Sequence, residues 1–403
     1  MKIYLHIFEP PPLGARATPR RAAVPVLYVR GTHYDIGYDM GRTFRAMIQE
    51  FVKTYDNLRQ FEQEYRTVNG REAYERTLAN ATARYPHYVA EMKGISDGSN
   101  VPFYKLFLLQ MDDLIGTIND NQIPRKDTGG CSSIAFNRPS GAVLGHTEDA
   151  FTETLDHFYI VSAHVMPSPL DRENGAVEER FASLCYAGHL PGYTMGYNQH
   201  GLIYSINTLS PLVLKPGNTP RTFVTRALLS ARSKQDAKRI LLDEGLGVGN
   251  GFSCNMLWRQ PEGTVTLANV EVAPNPSGQH SLLDFKSYDA EGEYLVHANR
   301  YERIKLEEVT GPIIDSSKCR LETIRKCPAP HSRKDIEKIL SDTSGKNFQI
   351  FQKKNDAVIS TIAAGVFDLS RGTWSLYTHE PAFTQPVAEL NMRFDQADSR
   401  KTS

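Results

Sequence analysis

The chain changes period once, and that change decides what it can fold into. Up to about residue 115 its apolar residues recur at helical spacing; from residue 131 they fall into short runs of strand character. Val26-Leu-Tyr-Val-Arg reads as a short strand ending at Gly31. Thr32 then fits a helix N-cap, with Asp35 three residues on as the acidic partner of a capping box. Ile36, Met40, Phe44, Ile48 and Phe51 mark one face of the helix that follows. Gly37 and Gly41 share a face there and permit close packing against a neighbour. Helical spacing continues over 71–98, with a break at Pro86, and over 102–114.

Beyond residue 130, strands are predicted at 131–137 and 142–147, around a turn at Pro139-Ser-Gly141. Others follow at 157–165, 182–187, 193–197, 202–207, 252–258, 263–271 and 293–297, with a last pair at 357–367 and 372–378. Asn198-Gln-His-Gly201 marks a hairpin turn. Helices interleave at 220–232, 234–244, 300–308 and 334–342. Helices first, then long hairpins with helices between them, is an α+β order. Residues 1–25 read as a flexible arm, 26–130 as a mainly helical segment, and 131–390 as a strand-rich segment of the same globular domain. Residues 391–403 read as a polar, disordered tail. Residues 116–130, rich in Asn, Asp, Lys, Arg, Thr and Gly, read as an exposed linker.

Charge and cysteine content exclude several classes. The 46 Lys+Arg balance the 46 Asp+Glu, so neither nucleic acid nor an anionic membrane is expected as the main partner. Arg16, Arg20 and Arg21 read as part of a solvated leader. Five scattered cysteines without CxxC spacing suit a reducing compartment, and the histidines form no metal pattern. No run is long and apolar enough for a membrane span, and no glycine-rich phosphate loop is present. The expectation is a soluble cytoplasmic protein without metal or cofactor.

The residues with most chemical meaning are Asp127-Thr-Gly-Gly-Cys-Ser-Ser133, where a loop ends in two glycines and a cysteine opens a strand. Gly130 carries no side chain, so the Cys131 thiol reaches its carbonyl with little hindrance. Attack there gives a thioester, and water then severs the chain. The α-amine freed on Cys131 would have a pKa of about 7.7–8.0, suited to act as general base for its own thiol. Thiolate is the attacking species, and no separate histidine is needed.

Five separated segments, in order, resemble the penicillin acyltransferase family of N-terminal nucleophile hydrolases. They are Gly31-Thr-His-Tyr-Asp-Ile-Gly-Tyr-Asp-Met-Gly41; Gly130-Cys-Ser-Ser-Ile-Ala-Phe-Asn; Gly141-Ala-Val-Leu-Gly-His-Thr-Glu-Asp149; the run from Ala187 to Asn207; and Val296-His-Ala-Asn299. Within that family, Val26-Leu-Tyr-Val-Arg-Gly-Thr-His-Tyr, Leu144-Gly-His-Thr-Glu-Asp-Ala, the run from Leu184 to Met195 and Phe367-Asp-Leu-Ser resemble insect members that hydrolyse N-β-alanyl amines. The resemblance implies a four-layer αββα sandwich. It implies a precursor that cuts itself between Gly130 and Cys131, whose two fragments stay associated. It also implies a small-molecule substrate such as N-β-alanyldopamine or β-alanylhistamine. Residue by residue, it makes Cys131 the nucleophile, Asp149 an aid to processing and orientation, Asn299 an oxyanion donor and Asn207 a strand-borne partner of the nucleophile.

One feature of the family is missing. Bacterial and fungal relatives carry an arginine late in the chain near the nucleophile; the matching stretch in this chain holds Gln352 and Lys353. Glu148 and Tyr193 are candidates to bind the substrate ammonium, as a carboxylate and a π face. His146 reads as structural or pocket-lining. Three other readings stay open: an acyltransferase passing the acyl group to an amine, a non-catalytic binding relative with an uncut chain, and a papain-like thiol protease using His146 or His297.

Overall fold

The computed structural model describes residues 21–116, 130–353 and 358–395, so the arm at 1–20, the linker at 117–129 and the tail from 396 lie outside it. The first part comprises β1 (Val26–Gly31), α1 (His33–Thr43), α2 (Arg45–Thr54), α3 (Asp56–Tyr65), α4 (Val68–Arg84), α5 (Pro86–Ser99), α6 (Phe103–Met111) and α7 (Asp113–Gly116). The second runs β2 (Ser132–Arg138), β3 (Gly141–Phe151), β4 (Phe158–Val165), α8 (Pro169–Glu173), β5 (Glu179–Tyr186), β6 (Met195–Asn198) and β7 (Leu202–Leu209). It continues with α9 (Arg221–Leu228), α10 (Lys234–Leu242), β8 (Gly251–Arg259), β9 (Val265–Ala273), β10 (Leu282–Ser287) and β11 (Leu295–His297). The last elements are α11 (Pro312–Lys326), α12 (Arg333–Leu340), β12 (Ile359–Asp368), β13 (Thr373–Tyr377) and β14 (Ala388–Asn391).

The strands form two sheets, in the orders β1-β4-β5-β6-β7-β8-β9-β10 and β11-β2-β3-β12-β13-β14. β1 pairs parallel with β4; its neighbour pair β4–β5 is antiparallel. Alternation along each strand sorts side chains into separate cores. On β4, Ile160 joins Leu184, Ile203 and Leu257 against Leu144, Phe367 and Trp374 of the six-stranded sheet. Its neighbours Tyr159 and Val161 face the other way and join Ile36, Ile48, Phe107 and Leu228 of the helices. Val143 and Val366, from the opposite face of the six-stranded sheet, pack with Ile324, Ile336 and Leu340. Strands buried on both faces read as continuous apolar runs, as these do.

Thr32 and Asp35 close the capping box at α1. Gly37 and Gly41 permit backbone-to-backbone contact with α5: a Cβ at Gly37 would lie 1.9 Å from the Glu91 carbonyl oxygen. The contact is reciprocal, since a Cβ at Gly98 would lie 2.2 Å from the Tyr38 carbonyl oxygen. Close approach places His33 and Glu91 beside Arg226 of α9. Arg226 Nη2 lies 2.8 Å from Glu91 Oε2 and Nη1 2.7 Å from Glu179 Oε2, all fully buried. That cluster ties two early helices to the strand-rich segment.

Most expected elements form, with three kinds of difference. Residues 300–308 are not helical, because the Glu271 carboxylate takes up the backbone N–H groups of Glu302, Arg303 and Ile304 at 2.8, 3.0 and 2.9 Å. Additional elements form at α3, α8, α11, β10 and β14. The ordered chain also passes the expected ends of arm and tail. Val24 is buried, Arg21 bonds Asp156, and Met392 is buried beyond β14. Among the described residues, no helix is long and apolar enough to cross a membrane.

The glycine contact yields a stability test. Gly98→Ala is expected to destabilise the protein by about 1–3 kcal/mol through overpacking. In an open helix interior the same change stabilises by about 0.5–1 kcal/mol. Urea unfolding followed by circular dichroism reads the difference, and an unchanged or higher midpoint contradicts the packing described.

Candidate active site

On the face between the sheets, several strands turn from apolar to polar at the same end. β7 runs Ile203, Ser205, Asn207; β8 runs Leu257, Asn255, Ser253; β9 runs Leu267, Asn269, Glu271. From the other sheet, β2 presents Ala135 and Ser133 with Cys131 just before it, and β3 presents Leu144, His146 and Glu148. Polar side chains from both sheets therefore meet in one buried region, with Cys131 at its head.

Each of these groups is partnered. Ser133 Oγ lies 2.8 Å from His146 Nδ1, 3.0 Å from Ser205 Oγ and 3.1 Å from Asn207 Oδ1. Asn207 Nδ2 donates to the Cys131 carbonyl oxygen at 2.9 Å. Asn255 donates to Asn207 Oδ1 at 2.6 Å, Asn269 to Asn255 Oδ1 at 2.8 Å, and Arg303 to Asn269 Oδ1 at 2.6 Å. This row of amides crosses three strands and fixes Asn207, so the amide that meets Cys131 cannot turn freely. Asp149 accepts from Thr361 Oγ1 at 2.5 Å, its cross-strand partner on β12.

Gly130 has φ 152°, and an added Cβ would sit 2.1 Å from Asn299 Oδ1. Only glycine fits that approach, which brings the candidate scissile carbonyl's residue against the Asn299 amide. Asn299 Nδ2 donates to the Thr208 carbonyl oxygen at 3.0 Å. Its Oδ1 accepts from Arg320 Nη2 at 2.8 Å. Arg320 Nη1 also donates to the Cys131 carbonyl oxygen and to Ser132 Oγ, both at 2.8 Å.

The thiol sits in a defined field. Cys131 Sγ, a ring nitrogen of His146 and a carboxylate oxygen of Glu148 lie within 4.8 Å of one another, a grouping that by residue type could hold a metal ion. Both His146 nitrogens are hydrogen-bonded, Nε2 to Glu148 Oε2 at 3.0 Å. Tyr186 OH donates to Glu148 Oε1 at 2.5 Å, and burial with the Glu148 charge pushes that phenol well up, keeping it a donor. Burial raises the Cys131 thiol well above its usual range, and the charges of Glu148 and Asp149 add to the rise. The Asp149 backbone N–H and Arg320 act in the opposite sense.

Of the residues singled out in the sequence, Gly130, Cys131, His146, Glu148, Asp149, Asn207 and Asn299 come together. Tyr193 stands one step away, half-buried, its hydroxyl 3.0 Å from Thr208 Oγ1 and its ring beneath the Arg221 guanidinium at 5.6 Å. His297 is held by Glu271 at 3.0 Å and by the Ala298 carbonyl oxygen at 2.7 Å. Lys353 pairs with Glu380 at the surface, so it does not stand in for the missing family arginine. Arg320, Asn255 and Asn269 escaped the sequence reading. The signal for the asparagines was the one that marked Asn207, an amide inside a β run. For Arg320 it was a cation on the buried face of α11, with Ser317, Leu321 and Ile324.

The profile described as acyl-coenzyme A:6-aminopenicillanic acid acyl-transferase matches residues 136–382. A relative from Drosophila melanogaster named beta-alanyl-dopamine/carcinine hydrolase is 42% identical over 392 residues, 94% of this chain and 99% of the relative. The chain belongs to the acyl-coenzyme A:6-aminopenicillanic acid acyl-transferase family.

The field around the thiol has a measurable consequence. In uncut chain at pH 8, buried Cys131 is expected to alkylate with iodoacetamide more slowly than exposed Cys319, because its thiol is raised and less of it is thiolate. Glu148→Gln removes one negative neighbour, so the rise of Cys131 labelling should move to lower pH. Peptide mapping by mass spectrometry reads both; equal rates for the two cysteines contradict the burial.

Proposed function

We propose that this family member is a self-cleaving cysteine amidohydrolase that releases β-alanine from N-β-alanyl amines, such as N-β-alanyldopamine and β-alanylhistamine. The observation that carries the reading is the meeting of Gly130, Cys131, Asn299 and Glu148 in one buried region of a chain 42% identical to a hydrolase named for that reaction. In the first step Cys131 Sγ attacks the Gly130 carbonyl carbon and the Gly130–Cys131 C–N bond breaks. The thiol proton ends on the departing α-amine. Water then opens the thioester, leaving a Gly130 carboxylate and a free Cys131 amine and thiol.

In turnover, the α-amine takes the thiol proton and the thiolate attacks the substrate amide carbonyl. Asn299 steadies the oxyanion, a contribution of about 2.7–4 kcal/mol for one such donor. The leaving amine takes the proton, and water releases β-alanine from the thioester. Asn207 holds the Cys131 carbonyl, and Asp149, beside the thiol, orients the nucleophile. Glu148 receives the β-alanyl ammonium, which lies two methylenes beyond the carbonyl carbon and so within reach of a carboxylate beside Sγ. Tyr193 lines the substrate side. No metal or cofactor enters these steps, and water is the acyl acceptor; an amine that reaches the thioester first would make the same site a transferase.

The same assignment accounts for the rest of the chain. The helices, the two sheets and α11–α12 stack as a four-layer αββα sandwich, supported by cores on both faces of each sheet. The two fragments stay together, because β1 of the first pairs with β4 of the second and α1–α7 cover its sheet. A reducing cytoplasmic setting suits the free cysteines.

Glu148→Gln is expected to lower the preference for an N-β-alanyl amine over the N-propionyl analogue by about 10–100-fold, the usual value of a charged hydrogen bond. Chromatography of β-alanine and free amine, with and without an added acceptor amine, measures hydrolysis and transfer separately. An unchanged preference removes Glu148 from the ammonium site, and an N-acylated acceptor as main product overturns the hydrolase reading.

A further inference from the structure

The described residues hold several fully buried arginines, and they differ in how their charge is met. Arg226 contacts Glu91 and Glu179, and Arg221 contacts Asp112 and Asp113. Arg320 is equally buried, yet its four hydrogen bonds go to neutral acceptors: the Cys131 carbonyl, Ser132 Oγ, Asn299 Oδ1 and, through Nε at 3.1 Å, Ser316 Oγ. No carboxylate among the described residues stands in ion-pair contact with it; the titratable groups that face it are Asp149 and the thiols of Cys131 and Cys319. Burying a charge without a paired partner is costly.

The fork also settles an orientation. A guanidinium only donates, so the Asn299 atom facing it is the oxygen. The Thr208 carbonyl only accepts, so the atom facing it is the nitrogen. The two constraints agree, and Thr208 uses one of the two N–H bonds on Nδ2. The other has no hydrogen-bond partner among the described residues.

We propose that Arg320 is the positioning residue of this site: it clamps the Cys131 carbonyl, sets the Asn299 amide with its donor toward the reacting carbonyl, and stabilises the negative charge formed there. It supplies from α11 what the resemblance led one to seek near Lys353. The proposal rests on Cys131 being the nucleophile.

The test compares wild type, Arg320→Lys and Arg320→Met, with kcat expressed per cut chain. Arg320→Met is expected to slow the appearance of the Cys131 N-terminus and to lower kcat on N-β-alanyldopamine at least 100-fold, with KM within threefold. The rising limb of kcat/KM should move to higher pH, since a positive neighbour of the thiol is gone. Arg320→Lys should restore part of kcat, keeping charge without the fork. Thermal melting checks folding, and if Arg320→Met does not fold, Arg320→Lys carries the test with the same kcat–KM split. A wild type that neither cuts nor turns over ends the underlying reading. A competent wild type matched by Arg320→Lys and Arg320→Met, or variants whose losses follow melting temperature alone with no shift of the pH limb, overturns the role of Arg320.

Discussion

Polar side chains between two packed sheets are costly unless their donors and acceptors find partners, since each orphan costs about 1–3 kcal/mol. The site depends on that constraint. Strands of both sheets turn polar at one end, and the groups they present satisfy one another: Ser133 with His146 and Asn207, Asn207 with Asn255, Asn255 with Asn269. Removing one member leaves its neighbours unpaired, so the row is held as a unit. Its rigidity passes to Cys131, whose carbonyl is gripped by Asn207 from one sheet and by Arg320 from α11.

Two kinds of buried charge serve different ends in this chain. Around Arg226 the guanidinium is met by the carboxylates of Glu91 and Glu179, and the cluster joins α1, α5, α9 and β5 across the point where the chain changes texture. Around Cys131 burial raises the thiol, the charges of Glu148 and Asp149 add to the rise, and Arg320 acts in the opposite sense. A site poised in this way keeps the thiol quiet until a base stands next to it. In the proposed mechanism that base is the α-amine, which exists only after the chain is cut.

The sequence carried the large features because they are local. Helical spacing, the capping box at Thr32 and the Gly37–Gly41 face rest on neighbours in the chain, and all appear in the fold. Gly130, Cys131, Asp149, Asn207 and Asn299 were legible as matches to family segments, and the structure adds their meeting. What escaped depends on contacts between distant residues. The expected helix at 300–308 gives way to Glu271, a side chain on another strand. Arg320 belongs to no motif, and its meaning comes from where α11 lies against β2 and Asn299.

The most direct measurement is the intact mass of the purified protein under denaturing conditions, wild type beside Cys131→Ala. Self-cleavage by Cys131 requires wild type to separate into a fragment ending at Gly130 and one beginning at Cys131, and Cys131→Ala to stay whole. A wild-type chain that remains in one piece would leave Cys131 without an α-amine and contradict the mechanism at its root.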